Sequence, residues 1–345
     1  MKSPTPIERP KPSTEEEVEG CELYRGLKEL LIGQDEVIET LIPAIQMHQA
    51  GLSPEGRPIG VFLLLGPTGT GKTRTVEALA EVLHGSQKNL VKVDCGEFQM
   101  EHEVAKLIGA PPGYLGHRET QPMLSQAKVN GVATDGCNIS LILFDEIEKA
   151  APSMTRLLMG ILDKATLRLG DNTTVDFQNT LIFLTSNLGA KGIQRATKPD
   201  FGFEAFLPPA EVADAEKLQK VGMSAVRRKF SPEFVNRIDS VMTFKPLDRK
   251  AYSVILDQIL AGFTRLLRER LGMRAFRLLY TPEAKSLLLD KGTSLEFGAR
   301  ELKRTVQRHV MQPVAEFVAQ SQIPPGAVVT LDLDDDGEFG LYLRK

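Results

Sequence analysis

The chain has 345 residues, of which 42% are hydrophobic and 25% are charged, and its formal net charge is −3. This length predicts two domains, and the slight acidity disfavours a nucleic-acid partner, because nonspecific binding to a phosphate backbone depends on a basic surface. Three widely spaced cysteines predict neither a disulfide framework nor a zinc site, and no apolar run in the sequence is long enough to cross a bilayer. With no export signal at the N-terminus, we expect a cytoplasmic protein without a membrane partner.

Residues 1–20 combine prolines with a run of glutamates, a composition that predicts a disordered tail or a linker stub. Residues 21–245 alternate short apolar runs with amphipathic stretches. The apolar runs at 61–65, 90–93, 141–144 and 181–184 predict buried parallel strands between helices. The sequence therefore predicts an α/β nucleotide-binding domain in this region.

The first predicted strand leads directly into a glycine-rich segment that fills the P-loop template, Gly66-Pro67-Thr68-Gly69-Thr70-Gly71-Lys72-Thr73. Its glycines allow successive backbone N–H groups to point at phosphate oxygens, at the N-terminus of the following helix. Lys72 would reach the β- and γ-phosphates, and the Thr73 hydroxyl would bind Mg²⁺. The segment predicts a bound nucleoside triphosphate with Mg²⁺; the alternative is a plain joint between a strand and a helix.

The third predicted strand ends in two adjacent carboxylates, Asp145 and Glu146. Ligands of a parallel sheet bind beyond the carboxyl ends of its strands, so Asp145 would hold Mg²⁺ through water while Glu146 faces the γ-phosphate. Glu146 is then the candidate base or orienting group for the attacking water. The alternative is a charge pair at a helix N-terminus. Together with the P-loop, the pair favours hydrolysis.

After Pro246 the pattern changes to long helical periodicity, at 252–271, 281–290 and 301–320. Two strand-like segments, at 328–333 and 339–343, flank an acidic turn that we interpret as a solvated hairpin tip and not as a calcium site. Residues 246–345 are therefore predicted to form a smaller α+β domain.

Several further segments follow the order of a known family. They are Ile32-Gly33-Gln34, Gly109-Ala110-Pro111-Pro112-Gly113-Tyr114, the segment from Leu143 to Ala150, Thr185-Ser186-Asn187, the segment from Pro232 to Asp239, and Gly298-Ala299-Arg300. From about Leu31 onward the chain resembles the AAA+ ATPases of the Clp unfoldase class, specifically the C-terminal ATPase module of ClpB, ClpC and ClpA. The resemblance implies a parallel sheet flanked by helices with a C-terminal lid. It also implies ATP bound between the subunits of a ring, usually a hexamer.

The resemblance also implies roles for single residues. Asn187 would be the sensor that contacts the attacking water or the γ-phosphate, Arg237 the arginine finger that reaches a neighbouring subunit, and Arg300 a second sensor on the lid. Ile32 and Gly33 would line the adenine pocket. The alternatives are a strand end for Asn187, a surface salt bridge between Arg237 and Asp239, and a helix-to-loop joint at Ile32.

In the resembled unfoldases an aromatic residue at the position of Tyr114 faces the central channel and grips the threaded polypeptide. The flanking glycines and the next residue, Leu115, fit a mobile loop of this kind. The alternative is a tyrosine packed at a turn. Residues 117–122 depart from the family pattern, and the segment 130–138 looks longer than its counterpart, so we expect the mechanics of this loop to differ from the family's.

The tripeptide Phe201-Gly202-Phe203 has the apolar-Gly-apolar form of the loop by which some Clp ATPases dock on a barrel peptidase. Exposed apolar loop tips often mark a binding site, so this resemblance implies a docking loop. The alternative is an aromatic pair tucked onto its own domain.

Residues 1–30 leave no room for the N-terminal domain and first ring of ClpB, so a single-ring protein is expected.

Three functions remain open at this point. The first is an ATP-driven protein unfoldase or disaggregase, the second a nucleic-acid loader or remodeller, and the third an assembly factor with little turnover. Charge balance and Tyr114 disfavour the second function, and intact Glu146 and Arg237 disfavour the third.

Overall fold

The computed structural model describes residues 22–109, 122–190, 192–193, 215–294 and 297–344. The chain divides into two compact units. The first unit contains the described residues up to Leu64, Thr73–Ser186 and Phe230–Met242; the second contains Leu65–Lys72, the described residues of Asn187–Lys229, and the chain from Thr243 onward. None of the described helices has the length and apolar character needed to span a membrane.

The first unit is built on a five-stranded sheet. In chain order, the strands of this region are β1 (Gly60–Leu65), β2 (Val91–Asp94), β3 (Ser140–Asp145), β4 (Thr166–Arg168), β5 (Thr174–Asp176), β6 (Thr180–Ser186) and β7 (Ser240–Thr243). The short strands β4 and β5 pair with each other in a separate two-stranded sheet. The order in the five-stranded sheet is β2-β3-β6-β1-β7, and β3 pairs in parallel with both β2 and β6. Every residue of β1 and β6 is buried, and accordingly β1 is apolar throughout and β6 is apolar over residues 181–184.

Helices alternate with these strands. They are α1 (Glu22–Leu30), α2 (Asp35–Gln49), α3 (Lys72–His84), α4 (Val104–Ile108), α5 (Gln126–Asn130), α6 (Pro152–Lys164), α7 (Ala215–Lys229) and α8 (Pro232–Val235), of which α7 belongs to the second unit. The rings of Phe62 on β1 and Phe183 on β6 stack with centroids 5.5 Å apart, within the core between sheet and helices. The predicted parallel sheet flanked by helices is confirmed.

The C-terminal part of the second unit combines helices with a small sheet. Its elements are α9 (Arg249–Leu271), β8 (Arg277–Tyr280), α10 (Pro282–Gly292), α11 (Ala299–Val306), α12 (Gln312–Ala319), β9 (Val328–Leu333) and β10 (Phe339–Arg344). Local chemistry starts two of the helices: Asp248 accepts the Ala251 N–H at 2.7 Å, and Thr281 accepts the Ala284 N–H at 3.2 Å ahead of Pro282. Buried side chains of α9 to α12, β8 and β9 form its core, and partly buried side chains of β10 pack against it.

The predicted C-terminal hairpin is confirmed, because β9 and β10 pair antiparallel and the Gly337 N–H donates to the Asp334 carbonyl in the turn between them. Two expectations for residues 246–345 were incomplete. The strand β8, which pairs in parallel with β9, is only four residues long and was not predicted. The helix predicted at 301–320 is interrupted by π-helical bonding over Gln307–Met311, just ahead of Pro313, which has no N–H to donate.

Candidate functional site

The P-loop connects β1 to α3 and curls around its own lysine. Lys72, the first residue of α3, is only 8% exposed, and its Nζ donates to the carbonyl oxygens of Gly66 at 2.7 Å and Pro67 at 2.8 Å. The same Nζ donates to Oδ1 of Asn187 at 3.0 Å. The Thr70 hydroxyl donates to the Pro67 carbonyl at 2.9 Å. The ammonium therefore lies at the centre of the loop, in contact with the residue that follows β6.

The P-loop is also in backbone contact with the segment that precedes α11. The Ala299 N–H donates to the carbonyl of Gly69 at 3.0 Å. A Cβ at Gly298 would lie 2.6 Å from that carbonyl oxygen, and a Cβ at Gly69 would lie 2.1 Å from the Phe297 carbonyl oxygen. Both glycines have positive φ, of 56° and 76°. Close approach and backbone conformation therefore both require glycine at these two positions.

The residue next to Ala299, Arg300, is exposed at the start of α11. Thr73, the second residue of α3, is half-buried. Ile32 is half-buried and Gly33 exposed, and both lie in the turn between α1 and α2. Five predicted residues lie outside the described part of the chain; they are Tyr114, Leu115, Phe201, Gly202 and Phe203.

The two predicted acids end β3 and are held by the neighbouring strand β6. Glu146 has φ 56° and ψ 49°, in the left-handed region that non-glycine residues rarely occupy. Its N–H donates to Oγ1 of Thr185 at 3.0 Å, and the Thr185 hydroxyl donates to Oδ1 of Asp145 at 2.5 Å. Thr185 therefore fixes the backbone of one acid and the side chain of the other. Backbone strain of this kind is concentrated at functional sites.

Each acid is also paired with a lysine. Lys92 Nζ lies 3.2 Å from Oδ2 of Asp145, and Lys149 Nζ lies 2.5 Å from Oε2 of Glu146. The hydrogen bond and charge of Glu146 raise the pKa of Lys149. Cys95 lies nearby, but burial, followed by the charge of Asp145, raises the pKa of its thiol. That thiol is protonated at neutral pH and is not a nucleophile.

Arg237, which follows α8, pairs with a residue that the sequence did not point to. Its Nη1 donates to Oδ1 of Asp163 on α6. The expected alternative, a salt bridge with Asp239, is wrong, because Asp239 accepts the Val61 N–H at 2.8 Å and lies 3.4 Å from Arg57. Arg237 is about one-third exposed.

Sequence comparison connects this geometry to known proteins. A family model described as "AAA domain (Cdc48 subfamily)" matches residues 57–241, which is more than half of the chain. The chain belongs to the AAA family. Membership of this family implies that the chain binds a nucleotide. A second model, the C-terminal D2-small domain of ClpB protein, matches residues 247–331.

The similar curated proteins include the chaperone protein ClpB of Staphylococcus epidermidis, 36% identical over 320 residues, and that of Aquifex aeolicus, 38% identical over 313 residues. These alignments cover 92% and 91% of this chain but 34% and 29% of the relatives, so the chain spans about a third of their length. Among solved structures, the closed state of Hsp104 with ATPγS and FITC casein has a TM-score of 0.78 and 29% identity, covering 96% of this chain and 53% of that one. The predicted resemblance to the Clp class and its AAA+ fold are confirmed.

Sequence reasoning missed four residues of this site. Thr185 was part of a quoted motif without a role, and Lys149 follows Glu146 by three residues within another. Lys92 and Asp163 carried no signal, because their contacts depend on which strands and helices are neighbours. The order of the sheet, once known, would have pointed to Lys92.

Proposed function

We propose that this chain is an ATP-dependent protein unfoldase or disaggregase. The observation that carries the proposal is the combination of a P-loop after β1 with Asp145 and Glu146 at the end of β3, in the same sheet. Phosphoryl transfer to water requires mainly a cation for the phosphates, an acid that holds the metal and a group that orients the water. This chain carries one side chain of each type.

ATP would be bound by the P-loop. Lys72 would exchange its bonds to the Gly66 and Pro67 carbonyls for bonds to phosphate oxygens, since a charged acceptor makes the stronger hydrogen bond. A Cβ at Gly71 would meet no atom within 4 Å, so the loop leaves open space there. The rest of the proposed nucleotide contacts are Pro67, Thr68, Gly69, Thr70, Thr73 and Arg300, with Ile32 and Gly33 at the adenine.

Mg²⁺ would be held by the Thr73 hydroxyl and by Asp145, because oxygen ligands of this kind suit the ion. When bound, the ion would neutralise charge on the β- and γ-phosphate oxygens. Asp145 fits the role, since its Oδ2 pairs with the half-exposed Lys92 at 3.2 Å, and a partly exposed ion pair costs little to open. Its Oδ1 remains oriented by Thr185.

The residues for the chemical step are Glu146, Asn187, Arg237 and Arg300. Glu146 would accept a proton from the attacking water, and Asn187, already bonded to Lys72, would orient the water or the γ-phosphate. Arg237 would leave Asp163 and act in the pocket of a neighbouring subunit, where such a residue increases turnover by about 10³- to 10⁵-fold. We therefore propose a homo-oligomeric ring, usually a hexamer.

Protein is the proposed substrate of the ring. The support is the likeness over 96% of this chain to Hsp104, whose structure was determined with FITC casein. Tyr114 and Leu115 would contact the threaded polypeptide. The two family models also support a boundary between a large domain, residues 21–245, and a lid, residues 246–345, following a tail of residues 1–20. A cytoplasmic location remains part of the proposal.

The proposal is tested by measuring ATP hydrolysis with unfolded casein or with DNA, together with the molecular mass in the presence and absence of ATP. We expect casein to stimulate turnover and ATP to promote a ring. Tyr114→Ala should keep basal turnover and lose the unfolding of protein. Stimulation by DNA alone, or full turnover by a monomer at saturating ATP, would reject the proposal.

A second candidate is a regulatory ATPase that works with a barrel peptidase. It is favoured by a relative from Staphylococcus epidermidis, named ATP-dependent Clp protease ATP-binding subunit ClpC, that is 35% identical over 308 residues. Docking would use the Phe201, Gly202 and Phe203 loop. Mixing the chain with a barrel peptidase and comparing degradation by wild type and Phe203→Ala tests it; equal degradation would dismiss the docking role.

A further inference from the structure

Glu146 is bound twice by one residue of the turn that follows it. The Lys149 N–H donates to the Glu146 carbonyl at 2.9 Å, which closes the 3₁₀ turn Ile147–Lys149. The Lys149 ammonium lies 2.5 Å from Oε2 of the Glu146 side chain. Residues three apart in a helical turn lie on the same side, so the local backbone brings the two side chains together.

The backbone of Glu146 is held independently of that ion pair. Its N–H donates to Thr185, which is 1% exposed, and its φ of 56° lies in a narrow well. The Lys149 side chain is instead 48% exposed. Loss of the Lys149 ammonium should therefore change the environment of the carboxylate without changing the fold of the turn.

We infer that Lys149 is a positioning residue that restrains Glu146, so that turnover requires their ion pair to open. This inference rests on the proposed role of Glu146 as the base. A carboxylate oxygen engaged by an ammonium has lone pairs already in use, and the carboxylate can accept the proton of a water molecule more readily when that partner is absent. An exposed ion pair is weak, so the restraint is small and reversible.

The test compares Lys149→Met, which keeps the length of the side chain and removes its charge, with Lys149→Arg, which keeps the charge. We expect Lys149→Met to increase kcat at saturating ATP about two- to fivefold, the rate ratio that corresponds to a typical exposed ion pair. The Kd for a fluorescent ATP analogue and the melting temperature should stay unchanged. Lys149→Arg should behave as wild type.

Two further variants make the experiment specific. Lys285→Met removes a lysine from another exposed pair, 2.7 Å from Asp257, and should leave kcat unchanged. The double variant Glu146→Gln with Lys149→Met should show no gain over Glu146→Gln alone, because the restrained group is gone.

The possible results separate the inference from the proposed function. If wild type hydrolyses ATP and Lys149→Met is equally fast or slower, with unchanged Kd and melting temperature, Lys149 does not restrain Glu146. A gain that persists in the double variant would also overturn the inference. A wild-type chain without measurable hydrolysis, although assembled and bound to ATP, would overturn the proposed function and the inference together.

Discussion

The P-loop and the pair of acids are held in different ways. In the P-loop, Lys72 is nearly buried and bonded to two backbone carbonyls of its own loop, and Gly69 packs against the backbone at Gly298. The acids are held by side chains, Asp145 by Thr185 and Lys92, and Glu146 by Lys149.

This difference determines how each group can respond to substitution. A geometry built from backbone atoms depends on glycine and on loop length, and it tolerates little change. A geometry built from half-exposed ion pairs can rearrange at small cost, because such pairs contribute little free energy. We therefore expect the P-loop to control nucleotide binding and the acids to control the rate of turnover.

Glu146→Gln gives the largest expected effect, and it separates rate from binding. The amide keeps the shape of the side chain and cannot take the proton of water, so kcat should fall by roughly 10²- to 10⁴-fold. The Kd for ATP should remain within about twofold. Steady-state hydrolysis and fluorescent nucleotide titration measure the two quantities. Glu101→Gln, at an exposed pair with Arg156, is the matched control, and a normal rate for Glu146→Gln would exclude it as the base.

Lys72→Ala should produce the opposite pattern, a loss of tight ATP binding. Removing the ammonium removes its charged hydrogen bonds to phosphate, so the Kd should increase roughly 100-fold. Nucleotide titration measures the loss, and circular dichroism checks that the fold is kept. Unchanged affinity would show that the P-loop lysine is not a phosphate ligand. It would also contradict the expectation that the P-loop controls binding while the acids control the rate.

Gly298→Ala tests the backbone contact directly. The new Cβ would lie 2.6 Å from the Gly69 carbonyl oxygen at a positive φ, so we expect a loss of about 1–3 kcal/mol in unfolding free energy. The Kd for ATP should increase, since the P-loop must shift. Gly262→Ala, within α9, is the control: its Cβ meets no atom within 4 Å, and it should stabilise the helix by about 0.5–1 kcal/mol. Equal stability of the two variants would contradict the tight contact.

Thr185→Val tests whether the Thr185 hydroxyl holds the two acids in place. It removes the hydroxyl that joins Glu146 N–H to Asp145, and it leaves a partly buried N–H without that acceptor, at a cost of about 1 kcal/mol. We expect kcat to fall about tenfold with little change in ATP affinity, and Thr185→Ser to restore most of it. If Thr185→Val weakened ATP binding and left kcat unchanged, Thr185 would not act through the two acids.

The smallest expected effect concerns His84, at the C-terminal end of α3. Burial lowers the pKa of His84 below its usual 6.5, although a hydrogen bond with the Ile139 backbone opposes this shift. As the pH falls, the unfolded chain therefore binds the His84 proton at a higher pH than the folded chain. The stability that neutral His84 contributes is complete above pH 6.5 and is lost as the pH falls below it. His84→Gln should reduce the loss of melting temperature between pH 7 and pH 5. An identical pH profile in the variant would exclude this contribution.

The sequence alone determined the parts whose geometry is local. The P-loop, the apolar strands, the adjacent acids and the C-terminal hairpin are contiguous segments, in which residue spacing and backbone preference decide the conformation. Only the tertiary structure decided that Thr185 joins the two acids, that Arg237 pairs with Asp163, and that Gly69 contacts the backbone at Gly298. These contacts join residues far apart in the chain, and they exist only because strand order and helix packing bring separate segments together.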